Sequence, residues 1–160
     1  MSFYSKEKIS RKSLRRTFTE EVFQQIGALC YKKKNDKIYI LLISSRRSGR
    51  WIIPKGWRFD KFSNQKSAAL EAWEEAGVQG KVSKKMIGAY FYRKRSEEEK
   101  FFTCEVKVYL LEVKKMKKKF PERNQRKQKW VPLEKAVNLV TEPELKGLIK
   151  RFNKLRMDKL

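Results

Sequence analysis

Residues 64–78, NQKSAALEAWEEAGV, limit most tightly what this chain can fold into. On a helix each residue advances about 100°, so Glu71, Glu74 and Glu75 share one stripe. Ala68, Ala69, Ala72 and Ala76 form the opposite face, small and apolar enough to approach a sheet closely. Like charges at this spacing repel by about 0.2–0.5 kcal/mol per pair. They also sit toward the helix C-terminus, where the macrodipole opposes negative charge. Ser63 or Asn64 supplies an N-cap and Gly77 a stop. The segment therefore predicts a helix docked through its alanines, with a carboxylate face that needs positive charge. An oxygen-rich stripe of this kind suits Mg²⁺ or Mn²⁺; a solvated stripe paired with lysines is the competing reading.

That acidic stripe is unusual because the chain as a whole is basic. Its 160 residues carry 41 Lys and Arg against 18 Asp and Glu, a formal charge of +23. Such a balance draws phosphorylated metabolites, nucleic acid or anionic surfaces. There is no histidine, so His-based triads and general bases are excluded. Cys30 and Cys104 lie in separate apolar runs and read as buried, reduced thiols rather than zinc ligands. The start, MSFYSKEKISRKSLRR, has no apolar signal region, and no apolar run is long enough to span a bilayer. The expectation is a cytoplasmic protein with no membrane partner and no indication of oligomeric state.

Residues 1–17 read as a basic N-terminal segment and 18–160 as a single domain. QQIGALCYKK and KIYILLISS, separated by KKND, predict a hairpin. SRRSGRW is a basic loop, WIIP a short strand, and KGWRFDKFSNQ a loop before the helix. KVSKKMIGAYFYRK and KFFTCEVKVYLLEVKK are strands around the turn RSEEEK; the second places Phe102, Cys104, Val106, Val108 and Leu110 on one face. KKMKKKFPERNQRKQK reads as a basic loop, WVPLEKAVNLV as a strand turning into a helix at Pro132, and EPELKGLIKRFNKL as a helix opened by Pro143. This order predicts an α/β domain with a mixed sheet covered by helices.

PKGWRFDKFSNQKSAALEAWEEAGV resembles the Nudix box, G-x5-E-x7-R-E-U-x-E-E-x-G-U with U aliphatic. Gly56 matches the first glycine, Glu71 the glutamate of the R-E pair, Glu74 and Glu75 the E-E pair, and Gly77 the last glycine. Two positions depart: Phe62 stands for the first glutamate and Leu70 for the arginine. The flanking QIGALCYKK, SSRRSGRWIIPKGW and FPERNQRKQKWVPLEKAVNLV resemble the diphosphoinositol-polyphosphate phosphohydrolase branch and its bacterial relatives, over about residues 22–152. The resemblance implies the Nudix fold, an α/β/α sandwich with the box as loop–helix–loop. It implies a Mg²⁺- or Mn²⁺-dependent hydrolase that cleaves a diphosphate linkage. By the same resemblance Glu74, Glu75 and the Gly56 carbonyl hold metal, and Glu71 binds or orients metal or activates water.

Arg46, Arg47, Arg50 and Lys55 precede the box, Arg93 ends the following strand, and Arg126 lies in FPERNQR; these are the candidates for gripping substrate phosphate. A further metal ligand from a later loop has four candidates: Glu97, Glu98, Glu99 and Glu105. Trp57 is a candidate for base stacking, while Trp73 and Trp130 read as packing residues. The implied partner is an anionic phosphorylated small molecule, of the dinucleoside polyphosphate or diphosphoinositol polyphosphate type. Non-specific attraction to nucleic acid follows from the charge. Two alternatives stand beside it: removal of diphosphate from RNA 5′ ends, and a phosphate-binding protein whose catalysis is impaired by Phe62 and Leu70.

Overall fold

A computed structural model describes residues 21–158; the expected basic segment 1–17 lies outside the described residues. The chain opens with β1 (Val22–Lys34) and β2 (Lys37–Ser44), then β3 (Trp51–Ile52) and β4 (Lys55–Trp57). Helix α1 (Asn64–Ala76) leads into the long strands β5 (Val78–Arg95) and β6 (Phe101–Met116). Strand β7 (Gln128–Pro132) passes directly into α2 (Leu133–Leu139), and α3 (Pro143–Met157) follows.

The strands form one mixed sheet in the order β3-β2-β1-β6-β5, with β4 also paired to β1 and β7 to β2. β1 and β6 run parallel, Val22 opposite Thr103 and Tyr31 opposite Glu112. Every other pairing is antiparallel. The expected hairpin is present. Asn35 and Asp36, both at positive φ (52° and 64°), make its two-residue turn.

Alternation along the central strands fills two cores. On one face Ile26, Ala28, Cys30, Leu41 and Ile43 pack beneath Ala68, Ala72 and Ala76 of α1. On the other, Leu29, Ile40, Leu42, Val106 and Val108 meet Ala136 of α2 and Leu145, Ile149 and Phe152 of α3. This is the three-layer α/β/α arrangement. Both cysteines are buried and unpaired.

Three expectations need correction. Lys55–Trp57 is a strand rather than loop, because its backbone pairs with Gln25–Gly27. The basic loop expected over 114–129 is shorter at both ends: the strand expected to reach Lys115 continues to Met116, and β7 begins at Gln128. The carboxylates of α1 are also not opposite its packing face, since Glu71 and Glu75 are buried with Ser67, Ala68, Ala72 and Ala76 while Ala69 is only half-buried. At 100° per residue Glu75 falls beside Ala68 and Ala72, so docking the alanines carries it down onto the sheet.

The helix ends as the sequence predicts. Ser63 accepts the Lys66 N–H at 3.1 Å, and Gly77 adopts the left-handed conformation at φ 71°. A side chain at Gly77 would also strike Phe120 and the Lys117 carbonyl. Gly77→Ala is expected to cost about 2 kcal/mol or more in denaturant unfolding. Gly147→Ala, in α3 with nothing within 4 Å of the added methyl, is expected to stabilise by up to about 1 kcal/mol.

Candidate active site

Strand β4 and helix α1 bring the box residues together. Gly56 pairs with Ile26 of β1, and a Cβ there would overlap the Glu71 carboxylate. Only glycine leaves room for that carboxylate against the strand backbone. Glu71 and Glu75 are 6% and 7% exposed, while Glu74 is half-buried.

Glu75 has a donor on each oxygen: the Lys55 N–H reaches Oε1 at 3.1 Å and Arg126 Nη2 reaches Oε2 at 3.3 Å. Both members of the Arg126 pair have side chains only 8% exposed. The same guanidinium donates to the Ser44 carbonyl at 3.2 Å and lies 3.5 Å from Glu122. Arg126 was expected to face substrate, and it lines the cavity described below while bonding to these protein oxygens.

The loop after β6 and the start of β7 are fastened to α1 and its C-cap at three places. The Glu122 N–H donates to the Glu74 carbonyl at 2.9 Å, the Lys117 N–H to the Gly77 carbonyl at 2.9 Å, and Gln128 Nε2 to the Ala76 carbonyl at 2.9 Å. This fastening places Glu122 in the electrostatic field of all three helix glutamates. Sequence reasoning missed Glu122; its signal was its place four residues before Arg126 in FPERNQR. Of the four glutamates proposed as further ligands, three lie in an exposed turn, whereas Glu105 shares the sheet face that α1 covers. Glu97, Glu98 and Glu99 are exposed in the β5–β6 turn, and Glu105 accepts from Gln24 at 2.6 Å.

Burial, then the charges of Glu75, Glu74 and Glu122, pushes the Glu71 carboxyl up to about 8. Burial pushes Glu75 up to about 7 although Arg126 and Lys55 pull against it. Desolvation holds the Lys55 ammonium below its usual range, with Glu75 opposing. The local protein charges therefore do not fully offset these buried carboxylates. Hard oxygen donors short of positive charge fit Mg²⁺ or Mn²⁺. The fit is one of donor chemistry: among the described residues no three carboxylate or thiol groups already converge as a cage.

Beside this face opens a cavity of about 350 Å³. The structure brings all six proposed phosphate-gripping residues to its wall: Arg46, Arg47, Arg50, Lys55, Arg93 and Arg126. Lys94 and Arg95 join them and were not singled out from the sequence, although RKR is a contiguous basic run. Glu142 is the one carboxylate on the wall and takes Arg50 Nη1 at 3.3 Å. The aromatic faces nearby are covered by cations. Lys55 lies 4.9 Å over Tyr92, and Arg93 and Arg95 lie 4.7 and 5.7 Å over Phe101. Trp57, the candidate for base stacking, instead stacks on Phe102 at 6.1 Å with Lys94 over its ring at 5.1 Å. At the two departures from the box, Phe62 packs edgewise on Phe59 under Lys66, and Leu70 is half-buried.

No family model matches the chain. Nudix hydrolase 16, mitochondrial, of Arabidopsis thaliana is 34% identical over 128 residues, covering 77% of this chain and 70% of that protein. Diphosphoinositol polyphosphate phosphohydrolase 3-beta of Homo sapiens is 29% identical over 128 residues, covering 78% and 74%. Among solved structures, the C. elegans Ap4A hydrolase superposes with a TM-score of 0.61 at 20% identity, covering 84% of this chain and 98% of that one. The MutT protein from Methanosarcina mazei gives 0.60 at 21% identity, covering 88% and 99%. These two likenesses bear on the fold.

An acid whose folded pKa stands above 4.5 holds protons that the unfolded chain has released. Glu71 and Glu75 therefore make the metal-free protein less stable as pH rises from about 4.5 to about 8, by a few kcal/mol as an order of magnitude. Denaturant unfolding across that range in chelator should show the fall, and Mn²⁺ should restore more stability at pH 8 than at pH 5. A flat profile would contradict the buried acidic face. Arg126→Met, which strands Glu75 and Glu122, is expected to cost about 3 kcal/mol, with Arg126→Lys recovering part of it.

Proposed function

This chain belongs to the Nudix hydrolases, and on that premise we propose that it cleaves a diphosphate linkage in a polyphosphorylated small molecule with Mg²⁺ or Mn²⁺ held on α1. The observation that carries this reading is the cavity of about 350 Å³ with eight Lys and Arg side chains on its wall, next to the acidic face of the box helix. Guanidinium groups take phosphate oxygens in pairs and hold them in a fixed plane. Arg46, Arg47 and Arg50 approach from the loop after β2, and Arg93 and Arg95 from the end of β5. A substrate gripped from both sides would present its anhydride toward Lys55 and Glu75.

Glu71, Glu74, Glu75 and the Gly56 carbonyl are the groups that would hold the cation. The chemistry such a cation supplies is charge neutralisation on phosphate oxygens and activation of water. Lys55 and Arg126 orient the Glu75 carboxylate through their bonds to its two oxygens. Glu71, its carboxyl raised to about 8 in the metal-free protein, would be ionised at neutral pH only once a cation offsets the neighbouring carboxylates, and in that form it would hold the cation or take a proton from water. The cations around the cavity offset charge that develops on the leaving phosphate.

With its nearby aromatic rings covered, the cavity is better suited to reading phosphates than bases. Dinucleoside polyphosphates and diphosphoinositol polyphosphates both meet that requirement. The relatives named for diphosphoinositol polyphosphate and Ap4A chemistry make these the first compounds to test. RNA 5′ ends offer the same anhydride, but nothing on the wall is set to read a base. Phe62 motivates a second reading: an aromatic ring packed where the box carries its first glutamate suits a protein that binds phosphate ligands without turning them over.

Product formation, as nucleotides from diadenosine tetraphosphate, phosphate from a diphosphoinositol polyphosphate and diphosphate from triphosphorylated RNA, each with Mg²⁺ or Mn²⁺, separates these readings. Turnover is expected to require metal and to fall by about 100-fold or more in Glu74→Gln and in Glu75→Gln. Equal metal-independent rates in all three proteins would sink the hydrolase assignment. Tight binding without any release would favour the binding protein.

A further inference from the structure

The two ends of the sheet carry different cations. The cavity lies at the end where β6 begins with Phe101 and β5 finishes with Arg95. At the opposite end, parallel pairing sets Tyr31 beside Glu112. The hairpin tip beyond Tyr31 and the end of β6 beyond Glu112 therefore leave the sheet side by side. The tip exposes Lys33, Lys34 and Lys37, and the run 114–119, KKMKKK, is exposed throughout. Helix α3 points to the same end. Its first turn is held near β5 by Glu144, which accepts the Phe91 N–H at 3.0 Å. Eight residues later Phe152 lies on Tyr31, ring centres 4.7 Å apart. The last turn of α3 then adds Lys154 and Arg156. The nearby acids are Asp36, Glu112 and Asp158, with Glu74 and Glu122 where the run reaches the end of α1, and Glu112 is already paired with Lys114 at 3.0 Å.

Three exposed apolar side chains share this end: Met116, Leu155 and Met157. None is aromatic. Tyr31, Tyr39, Phe120 and Trp130 are half-buried and Phe152 is buried, so no stacking platform for nucleic-acid bases is on offer here. Lysine dominates, whereas arginine dominates the cavity. Lysine is a point charge suited to diffuse attraction, and arginine is a fork suited to a specific phosphate. Along β6 the two ends are about 50 Å apart, taking ~3.3 Å per residue, so this surface is not a continuation of the arginine cavity, although at Lys117 it adjoins the C-terminal end of α1.

We propose that the lysine-rich end formed by the β1–β2 tip, residues 114–119 and the last turn of α3 is a peripheral docking surface for an anionic phospholipid membrane. Clustered lysines draw the surface to acidic headgroups, and Leu155 and Met157 enter the boundary of the acyl region. The cavity then faces away from the membrane and stays open to soluble substrate. No helix among the described residues is long and apolar enough to cross a membrane, so the contact is peripheral. The expectation of no membrane partner rested on the missing spanning segment, which leaves a docking surface unaddressed. The proposal is independent of the hydrolase reading.

Sedimentation with phosphatidylcholine vesicles, with and without about 30 mol% phosphatidylserine, tests it. Binding is expected only with the acidic lipid, and it should weaken steeply between about 0.1 M and 0.5 M salt. The combined Lys33→Gln, Lys34→Gln, Lys114→Gln, Lys115→Gln variant should lose at least about tenfold in affinity. Leu155→Ser with Met157→Ser should lose affinity without changing the salt dependence. Both variants should keep the wild-type unfolding midpoint and wild-type turnover of soluble substrate. Failure to bind acidic vesicles, or undiminished binding by the four-lysine variant, overturns the proposal. A single-stranded RNA lacking a 5′ triphosphate forms a second arm: if its binding responds to the variant while vesicle binding does not, the surface serves nucleic acid and the membrane assignment falls.

Discussion

Glu75 is a carboxylate buried between a sheet and a helix, and the geometry of the site hangs on how it is held. Burying a charge without partners is costly. Here one oxygen takes the backbone N–H of Lys55 from β4 and the other takes Arg126 from the loop after β6. The first contact fixes the helix against the strand that carries Gly56. The second draws in the loop that carries Glu122 and closes one wall of the cavity. The carboxylate thus joins the box to the basic wall of the cavity.

Arginine and lysine are sorted by place across the molecule. Around the cavity the arginines are anchored to neighbouring structure: Arg46 to Gln125, Arg47 to the Arg95 carbonyl, and Arg50 to Glu142. Such anchoring lowers the entropy that a phosphate would otherwise have to remove. The lysines at the far end of the sheet are mostly exposed, as suits attraction that needs no fixed geometry. Net charge alone does not separate these groups, and sheet register does.

Most of the fold was legible because its signals are local. Alternation marked the strands, Ser63 and Gly77 bounded the box helix, and Asn35-Asp36 marked the hairpin. β4 was missed because its three residues carry no alternation and gain strand character only by pairing with β1. In the site, the spacing of Glu71, Glu74 and Glu75 identified the acidic face. The depth of Glu75 did not show, since it depends on how far the small alanines let the helix descend. Glu122 and the bond from Arg126 to Glu75 were illegible for a related reason: the loop between β6 and β7 has no periodicity and takes its place only through contacts with α1. Leu70 stands where the box carries its arginine, and the guanidinium beside the acidic face comes instead from that distant loop, paired with Glu75.

The long reach of that contact bears on how the chain acquires its site. Arg126 is 51 positions beyond Glu75 in sequence, and the Gln24–Glu105 bond of the parallel β1–β6 pair spans 81. Contacts this distant form only after large loops have closed, which slows folding. During synthesis the three glutamates of α1 precede both the strand that completes the sheet and the guanidinium that partners Glu75. Until then they are a run of like charges on a short helix whose alanine face has only the first strands to rest on. The buried carboxylate of Glu75 therefore gains its guanidinium partner only after the chain has been made past Arg126.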